Sequence, residues 1–130
     1  MNVKGTFEVT MKPDPTSDVV DGVSLGQLTL EKRFAGPLEA TSKGHMLAAR
    51  TPVESSAGYV AIERVTGTLD GKRGTFVLQH SGVSTRGARS LSVNVVPDSG
   101  TGELQGLSGR MDIQIVEGKH FYELVYELGA

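Results

Sequence analysis

Glu63 and His80 are the residues of this sequence whose types and spacing are best suited to chemistry. They flank Asp70-Gly71, a dipeptide that readily takes the two positive φ values of a type I′ turn and so predicts a tight hairpin. The turn fixes the register, which puts Glu63 opposite Leu78 and Ala61 opposite His80. The carboxylate and the imidazole are then diagonal neighbours on one face, where either could act as a general base.

Lys32 is also predicted to face inward and could join Glu63 and His80. An unpaired charge in an apolar interior is strongly unfavourable, so an inward Glu63 needs a partner. In one interpretation Glu63 pairs with Lys32 or His80 only to be neutralised, or the faces are reversed and Glu63 lies on the surface. In the other, the three form a polar cluster on a cavity wall, and tyrosines orient a ligand oxygen. The tyrosines are Tyr59, Tyr122 and Tyr126.

Apolar and polar residues alternate with a period of two along most of the chain, which predicts strands. Six strands are predicted over residues 3–11, 25–34, 38–49, the two arms of the hairpin 59–80, and 90–96. A second two-residue turn at Glu117-Gly118 joins two more strands and pairs Ile115 with His120. No segment has the apolar repeat and the caps of a helix.

Two connecting segments are predicted to be irregular. Residues 12–22 contain two prolines and three Asp residues, and we expect a surface loop long enough to cover an opening. Residues 97–109 are rich in glycine and are expected to form a bulged connection or a short hairpin. About eight amphipathic strands in an open sheet would leave two edges, whereas closure removes them. The sequence therefore predicts an all-β fold, an antiparallel closed barrel of roughly eight strands, as a single domain over residues 1–130.

Composition narrows the classes of function. The chain has 130 residues, a net charge of −2 and 22% charged residues, without a block of like charge, so no nucleic-acid partner is expected. No run approaches the roughly 18 consecutive apolar residues of a membrane-spanning helix, so no membrane partner is expected. The sequence has no cysteine, which excludes disulfides and cysteine nucleophiles. Nothing resembles a secretion signal, and we expect a cytoplasmic protein.

No cofactor and no metal ion are predicted from the motifs. Gly100-x-Gly102-x-x-x-Gly106 misses the dinucleotide-binding spacing by one residue and does not precede a helix, so a phosphate group has no helix N-terminus to bind. The three histidines, at positions 45, 80 and 120, lack the close spacing of metal-binding pairs, although a barrel could bring inward ones together.

Three segments resemble a bacterial domain family of unknown function. They are Glu-Arg-Val-Thr-Gly-Thr-Leu-Asp-Gly at 63–71, Gly-Thr-Phe-Val-Leu-Gln-His at 74–80 and Ser-Gly-Thr-Gly-Glu-Leu-Gln-Gly-Leu-Ser-Gly at 99–109. The likeness runs from Gly5 to Leu128, and members of the family are similar in fold to allene oxide cyclase. The third segment also looks like the glycine segment of plant allene oxide cyclases and dirigent proteins.

This resemblance implies an eight-stranded barrel, usually oligomeric, whose central cavity in the plant relatives holds apolar small molecules during cyclisation or coupling. It implies no established activity for the bacterial members. No catalytic residue of the plant enzymes is carried over to this chain.

We expect the protein to bind an apolar small molecule in a pocket inside the barrel. The predicted lining residues are Phe7, Leu30, Lys32, Phe34, Tyr59, Phe76, Leu78, Val93, Met111, Tyr122 and Tyr126. Two alternatives stay open: a cofactor-independent isomerase or cyclase with Glu63 or His80 as general base, and a structural oligomer with a filled barrel. Apolar residues on the outward faces predict a homo-oligomer in all three cases. They are Val60, Ile62, Phe121 and Val125.

Overall fold

The protein is described by a computed structural model over residues 1–14 and 18–129. Nine strands and one short 3₁₀ turn make up the regular structure of these residues. The strands are β1 (Asn2–Pro13), β2 (Asp18–Val20), β3 (Val23–Ala35), β4 (Leu38–Arg50), β5 (Ala57–Leu69), β6 (Lys72–Thr85), β7 (Ala88–Val95), β8 (Leu107–Val116) and β9 (Lys119–Leu128). The 3₁₀ turn covers Gly102–Leu104.

Eight of the strands close into an antiparallel barrel, which confirms the predicted fold. The sheet order is β1-β9-β8-β7-β6-β5-β4-β3-β2, and β1 also pairs with β3. β1 closes the barrel by changing partner along its length: its first half pairs with β9 and its second half with β3. Strand β2 pairs only with β3 and lies outside the closed ring. Each of the eight barrel strands pairs with a neighbour on both sides, and the β7–β8 pairing is limited to Asn94 with Arg110.

Two-residue turns set the register of the two predicted hairpins. Asp70 and Gly71 have φ values of +49° and +81°, as a type I′ turn requires, and Glu117-Gly118 has the same pattern. The predicted pairing of Glu63 with Leu78 is confirmed, and so is that of Ile115 with His120. A one-residue slip would turn every side chain to the other face, so these turns decide which residues face inward.

The two segments expected to be irregular contain more structure than predicted. In the segment 12–22, the end of β1 and the short strand β2 replace most of the expected loop, and Asp21-Gly22 forms another turn with two positive φ values. Residues 15–17 of that segment lie outside the described residues. The prediction of a simple surface loop there was wrong because the Asp-Gly turn signal was counted as loop composition.

The glycine-rich segment 97–109 closes one end of the barrel instead of forming a hairpin. Strands β7 and β8 share a single paired position, and residues 96–101 continue the hydrogen bonding to β6 beyond the end of β7. Thr101 N donates to Thr75 O at 2.8 Å, and Leu104 of the 3₁₀ turn is buried. A Cβ on Gly74 would lie 2.0 Å from the carbonyl oxygen of Thr101, so this close approach needs glycine.

One half of the interior is filled by large side chains. Its residues include Phe34, Leu69, Phe76, Leu104 and Leu124, all 2% exposed or less. This packed end lies beside the β5–β6 turn and the 3₁₀ turn.

Two tyrosine hydroxyl groups form hydrogen bonds at the packed end. Tyr122 Oη accepts a hydrogen bond from the backbone N–H of Leu38, and Tyr126 Oη donates to the Asp70 carboxylate in the β5–β6 turn. The other half of the barrel, where smaller side chains face inward, holds the candidate site.

Candidate functional site

Lys32, Glu63 and His80 form a buried cluster in the middle of the barrel. Glu63 Oε2 accepts a hydrogen bond from Lys32 Nζ at 2.8 Å and another from His80 Nε2 at 2.8 Å. The side chains of Lys32, His80 and Glu63 are 6%, 5% and 0% exposed. The diagonal relation between Glu63 and His80 is thus a direct contact.

Three strands bring these residues together. Lys32 lies on β3, Glu63 on β5 and His80 on β6, while β4 passes between β3 and β5. Gly44 of β4 pairs with Glu63, and a Cβ there would lie 2.7 Å from Glu63 Cα and 2.8 Å from Glu63 Cβ. The missing side chain of Gly44 therefore makes room for Glu63 next to Lys32.

Opposing effects act on the Glu63 carboxyl group. Burial by itself raises its pKa, but the hydrogen bond from His80 and the positive charge of Lys32 together outweigh burial, so the pKa of Glu63 lies below its ordinary value. Glu63 is therefore ionised at neutral pH. An ionised carboxylate only accepts hydrogen bonds, so Nε2 of His80 carries the hydrogen in this contact.

Glu63 has one oxygen that the protein leaves unsatisfied. Oε1 of Glu63 and Oγ of Ser42 are buried, and neither has a hydrogen-bond partner among the described residues. A buried polar atom without a partner is costly. Both atoms lie on the same inward surface, since Ser42 pairs with Lys32 on one side and with Val65 on the other.

A cavity of about 370 Å³ lies beside the cluster in the loosely filled half of the barrel. Lys32 and His80 form part of its wall, whereas Glu63 lies behind them and does not line it. Most of the remaining wall is apolar and comes from β1, β3, β4, β5, β7 and β8. These residues are Phe7, Val9, Met11, Leu30, Met46, Ala57, Ala61, Leu91, Ile113 and Ile115.

The polar side chains of the cavity wall nearest Glu63 are those of Lys32, Tyr59 and His80. Lys32 Nζ uses one of its three N–H groups on Glu63, and it also lies 5.1 Å from the ring centroid of Phe7. Tyr59 lines the cavity, and its ring lies against Gly82, where a Cβ would be 2.3 Å from the ring. Burial and the Glu63 charge raise the pKa of the Tyr59 hydroxyl, so it stays protonated. In the His80 ring, Nδ1 is the nitrogen that is not bonded to Glu63.

Comparison with known families places the chain. A family described as "Protein of unknown function (DUF3224)" matches residues 3–126. The chain belongs to the DUF3224 family. The crystal structure of a DUF3224 protein of unknown function from Shewanella oneidensis MR-1 is similar to it, with 50% sequence identity and a TM-score of 0.96. The match covers 100% of this chain and 98% of the Shewanella chain.

No curated protein sequence matches the chain significantly. The bacterial family of unknown function expected from the sequence is thus confirmed, while its likeness to the allene oxide cyclases stays a prediction. Family membership assigns no activity to this DUF3224 protein, and the argument for function rests on its own residues.

The predicted lining residues of the DUF3224 barrel divide between its two halves. Phe7, Leu30, Lys32 and Tyr59 line the cavity. Other predicted lining residues lie in the packed core and are not part of the cavity wall. They are Phe34, Phe76, Leu78, Val93, Met111, Tyr122 and Tyr126.

Several wall residues of this DUF3224 cavity were missed by the sequence analysis. The Glu117-Gly118 turn pairs Ile115 with His120, and the period of two puts Ile113 on the same face, so the signal existed. Met46 and Ala61 lie on the inward faces of β4 and β5. The predicted lining consists mainly of large apolar residues, whereas a cavity forms where the inward residues are small.

Residues 1–14 and 18–129 of the DUF3224 chain contain neither a metal-binding group nor a membrane-spanning helix. No group of three or more His, Asp or Glu side chains is arranged to hold a metal ion. In the same residues, no helix has the length and apolarity needed to cross a membrane.

Proposed function

We propose that the protein binds a small, mostly apolar molecule in the cavity beside Lys32 and His80. The observation that carries this proposal is the apolar wall of a cavity of about 370 Å³ that meets two polar groups at one end. Pockets for small ligands have this composition, with apolar walls for affinity and a few polar groups for orientation. The volume lies near the lower limit of the roughly 300–1,000 Å³ typical of such pockets, which favours a compact ligand.

The contrast between the halves of the barrel supports the proposal. The same strands fill one half with Phe34, Phe76 and Leu124 and leave the other half open around Ala57 and Ala61. Protein interiors are normally packed to high density, so an apolar space of this size inside the barrel is suited to a ligand.

Non-denaturing mass spectrometry of the purified protein tests the proposal. We expect a bound small molecule that Ala61→Phe excludes, because the new ring projects into the cavity. Ala88→Phe is the matched control, since Ala88 is exposed at the start of β7 and does not line the cavity. Circular dichroism checks that both variants fold.

The fluorescent probe 1-anilinonaphthalene-8-sulfonate gives a second readout if no molecule copurifies. Binding of the probe that Ala61→Phe abolishes and Ala88→Phe preserves supports the cavity. Binding that neither variant changes would contradict the proposal, because the probe would then occupy an outer surface.

A second candidate function is a cofactor-independent isomerase or cyclase, and the orientation of His80 favours it. Glu63 holds Nε2 and leaves Nδ1 on the cavity side, an arrangement that orients an imidazole to accept a proton. In this version His80 is the general base. Glu63 acts as a positioning residue because it does not line the cavity.

Solvent exchange tests this second candidate. A base that removes a proton from a bound ligand and returns it exchanges that hydrogen with solvent, so incubation in D₂O should add deuterium to the copurifying molecule. His80→Asn should abolish the exchange, whereas His45→Asn, at an exposed position on β4, should preserve it. A ligand that binds without exchanging hydrogen with D₂O would contradict the isomerase or cyclase and support binding alone.

The expected homo-oligomer would use an apolar part of the outer surface. Leu47 and Val60 are directly paired and 53% and 51% exposed, and Ile62 follows on the same face with 55% exposed. We propose that a second copy of the chain covers this surface. Light scattering should then give an oligomer that Ile62→Asp dissociates, and a monomeric native protein would contradict the proposal.

A further inference from the structure

The polar end of the cavity offers a ligand two different groups side by side. Lys32 Nζ and His80 Nε2 both donate to the same oxygen of Glu63 at 2.8 Å, so the two side chains are neighbours. Because Nε2 carries a hydrogen, Nδ1 of a neutral His80 is an acceptor. The cavity therefore ends in the Lys32 ammonium group beside an imidazole nitrogen that accepts a hydrogen bond when His80 is neutral.

Both groups are available to a ligand. Within residues 1–14 and 18–129, Nδ1 of His80 has no hydrogen-bond partner. Unlike Ser42 Oγ and Glu63 Oε1, it is not fully buried. Since His80 lines the cavity, Nδ1 faces that space. Lys32 Nζ lies 5.1 Å from the ring centroid of Phe7, which lines the cavity, so the ammonium group lies beside the apolar wall.

We infer that the ligand is a monocarboxylic acid with an apolar body, whose carboxyl group lies between Lys32 Nζ and His80 Nδ1. This inference rests on the proposed function. A carboxyl group matches the site because one oxygen can accept from Lys32 while the other shares a proton with His80. An alkylammonium group has only donors and is repelled by Lys32.

Charge balance requires that binding take up one proton from solvent. A carboxylate in the cavity is attracted by Lys32 and repelled by Glu63, and a proton between the carboxylate and His80 brings the four groups to zero net charge. The count is the same whether this proton belongs to the imidazole or to the ligand. The complex thus holds one proton more than neutral His80 and the free carboxylate.

The other groups facing His80 do not replace it in this role. Across the cavity these are Tyr59 on β5, Arg89 on β7 and His120 on β9, besides Lys32 on β3 and Glu63 on β5. The wall residues of β1, β4 and β8 are uncharged.

Arg89 and His120 lie at other parts of the cavity wall. Arg89 pairs with Ser84 near the β6–β7 turn, at the end of the barrel far from Glu63, where its charge attracts an entering anion. The His120 ring contacts the Phe7 ring in a tilted arrangement, with centroids 5.0 Å apart and an interplanar angle of 44°.

Calorimetric titration of the full chain with four octyl compounds tests the inference. Octanoate should bind at least about tenfold more tightly than 1-octanol, octanamide or octylamine. Octanamide has a donor and an acceptor without charge, so equal or tighter binding of octanamide would overturn the assignment to an acid. Tighter binding of octanol or octylamine would overturn it as well.

Titration in buffers of different ionisation enthalpy at pH 8 counts the protons. We expect uptake of about one proton per octanoate, lost in His80→Gln and kept in His45→Gln, whose side chain is on the outer surface. Uptake of zero protons by the native protein would show that His80 takes no part and would overturn the inference.

A double variant removes both charges at once and so avoids leaving one of them buried alone. Lys32→Met/Glu63→Gln should lose the tenfold preference for octanoate over octanol, whereas the exposed control Lys43→Met should keep it. A preference retained in the double variant would place the carboxyl group elsewhere.

The outcomes also separate this inference from the proposed function. If none of the octyl compounds binds and no molecule copurifies, the cavity function itself fails. If octanol binds at least as tightly as octanoate and Ala61→Phe blocks it, the cavity function stands and the acid is wrong.

Discussion

Replacement of Glu63 by Gln tests the buried cluster most sharply. The amide has nearly the same volume, so the change removes a charge without opening a cavity. Gln can still accept one hydrogen bond, but it leaves the Lys32 ammonium group without a counterion at a side chain only 6% exposed. Breaking a buried ion pair in this way typically costs about 3–5 kcal/mol.

The structure places the expected cost near the lower limit, at about 3 kcal/mol. Lys32 Nζ borders the cavity, where water can solvate part of the released charge. For a domain of this size that loss corresponds to a decrease in Tm of about 10 °C. Urea unfolding followed by far-UV circular dichroism measures the free energy of unfolding directly, with an unchanged m-value as the sign that the fold is kept.

Two comparisons make this measurement specific. Glu39→Gln removes a carboxylate from an exposed position of β4 and should change the free energy of unfolding by no more than about 0.5 kcal/mol. Lys32→Met/Glu63→Gln should cost clearly less than the sum of its two single variants, because neither charge is left alone. A cost below about 1 kcal/mol for Glu63→Gln, or strictly additive variants, would refute the argument.

Three further predictions follow from the described contacts. The pKa of Glu63 is lowered in the folded protein, so the ionised carboxylate contributes to the free energy of unfolding above the ordinary pKa of 4.5, and this contribution is lost as the pH falls below that value. The free energy of unfolding should therefore fall less steeply with decreasing pH in Glu63→Gln. Tyr126→Phe should cost about 1.5 kcal/mol in urea unfolding by removing the bond to Asp70. Burial and Asp70 raise the pKa of Tyr126 to about 12, so the stability contributed by this hydrogen bond should be complete below pH 10 and be lost as the pH rises towards 12. Ultraviolet titration of Tyr126→Phe should therefore lack the tyrosine ionisation near pH 12. Gly44→Ala should cost at least about 2 kcal/mol, because its Cβ would lie 2.2 Å from the carbonyl oxygen of Ile62, whereas Gly26→Ala meets nothing within 4 Å and should be neutral. Equal effects of the two alanines on thermal unfolding would contradict the packing described around Glu63.

The local pairing of strands could be predicted because two-residue turns determine it. Asp70-Gly71 specifies where its hairpin reverses, and this is enough to place Glu63, Leu78 and His80 on one face. Arg86-Gly87 carries the same pair of positive φ values without the Asn or Asp that marks a type I′ turn in a sequence. Strand β2 was missed because the prolines and Asp residues around it favour a loop composition.

The contact between Lys32 and Glu63 was harder to predict. Lys32 is separated from Glu63 by the whole of β4. Gly36-Pro37 connects β3 to β4 without the Asn-Gly or Asp-Gly signal of a type I′ turn, and residues 51–56 connect β4 to β5. Without a fixed register across two strand pairs, the sequence indicates that both side chains face inward but not that they touch.

The position of the cavity depends on the summed volume of each layer of the barrel, which no single strand reveals. Phe76 and Tyr122 were natural choices for a pocket wall because they are large and inward, but large residues fill their layer. The open layer is marked by small residues, with Ala57, Ala61 and Gly82 on two adjacent strands. Comparing such layers requires the complete order and register of the sheet.

The binding site that we propose lies in the open half of the barrel. The most direct test is a two-dimensional NMR titration of the ¹⁵N-labelled protein with 1-anilinonaphthalene-8-sulfonate. We predict that the amide shifts of Ala61, His80 and Ile113 change together, while those around Leu69 and Leu104 in the packed end stay constant. Shifts confined to Leu47 and Val60 on the outer surface would contradict the claim.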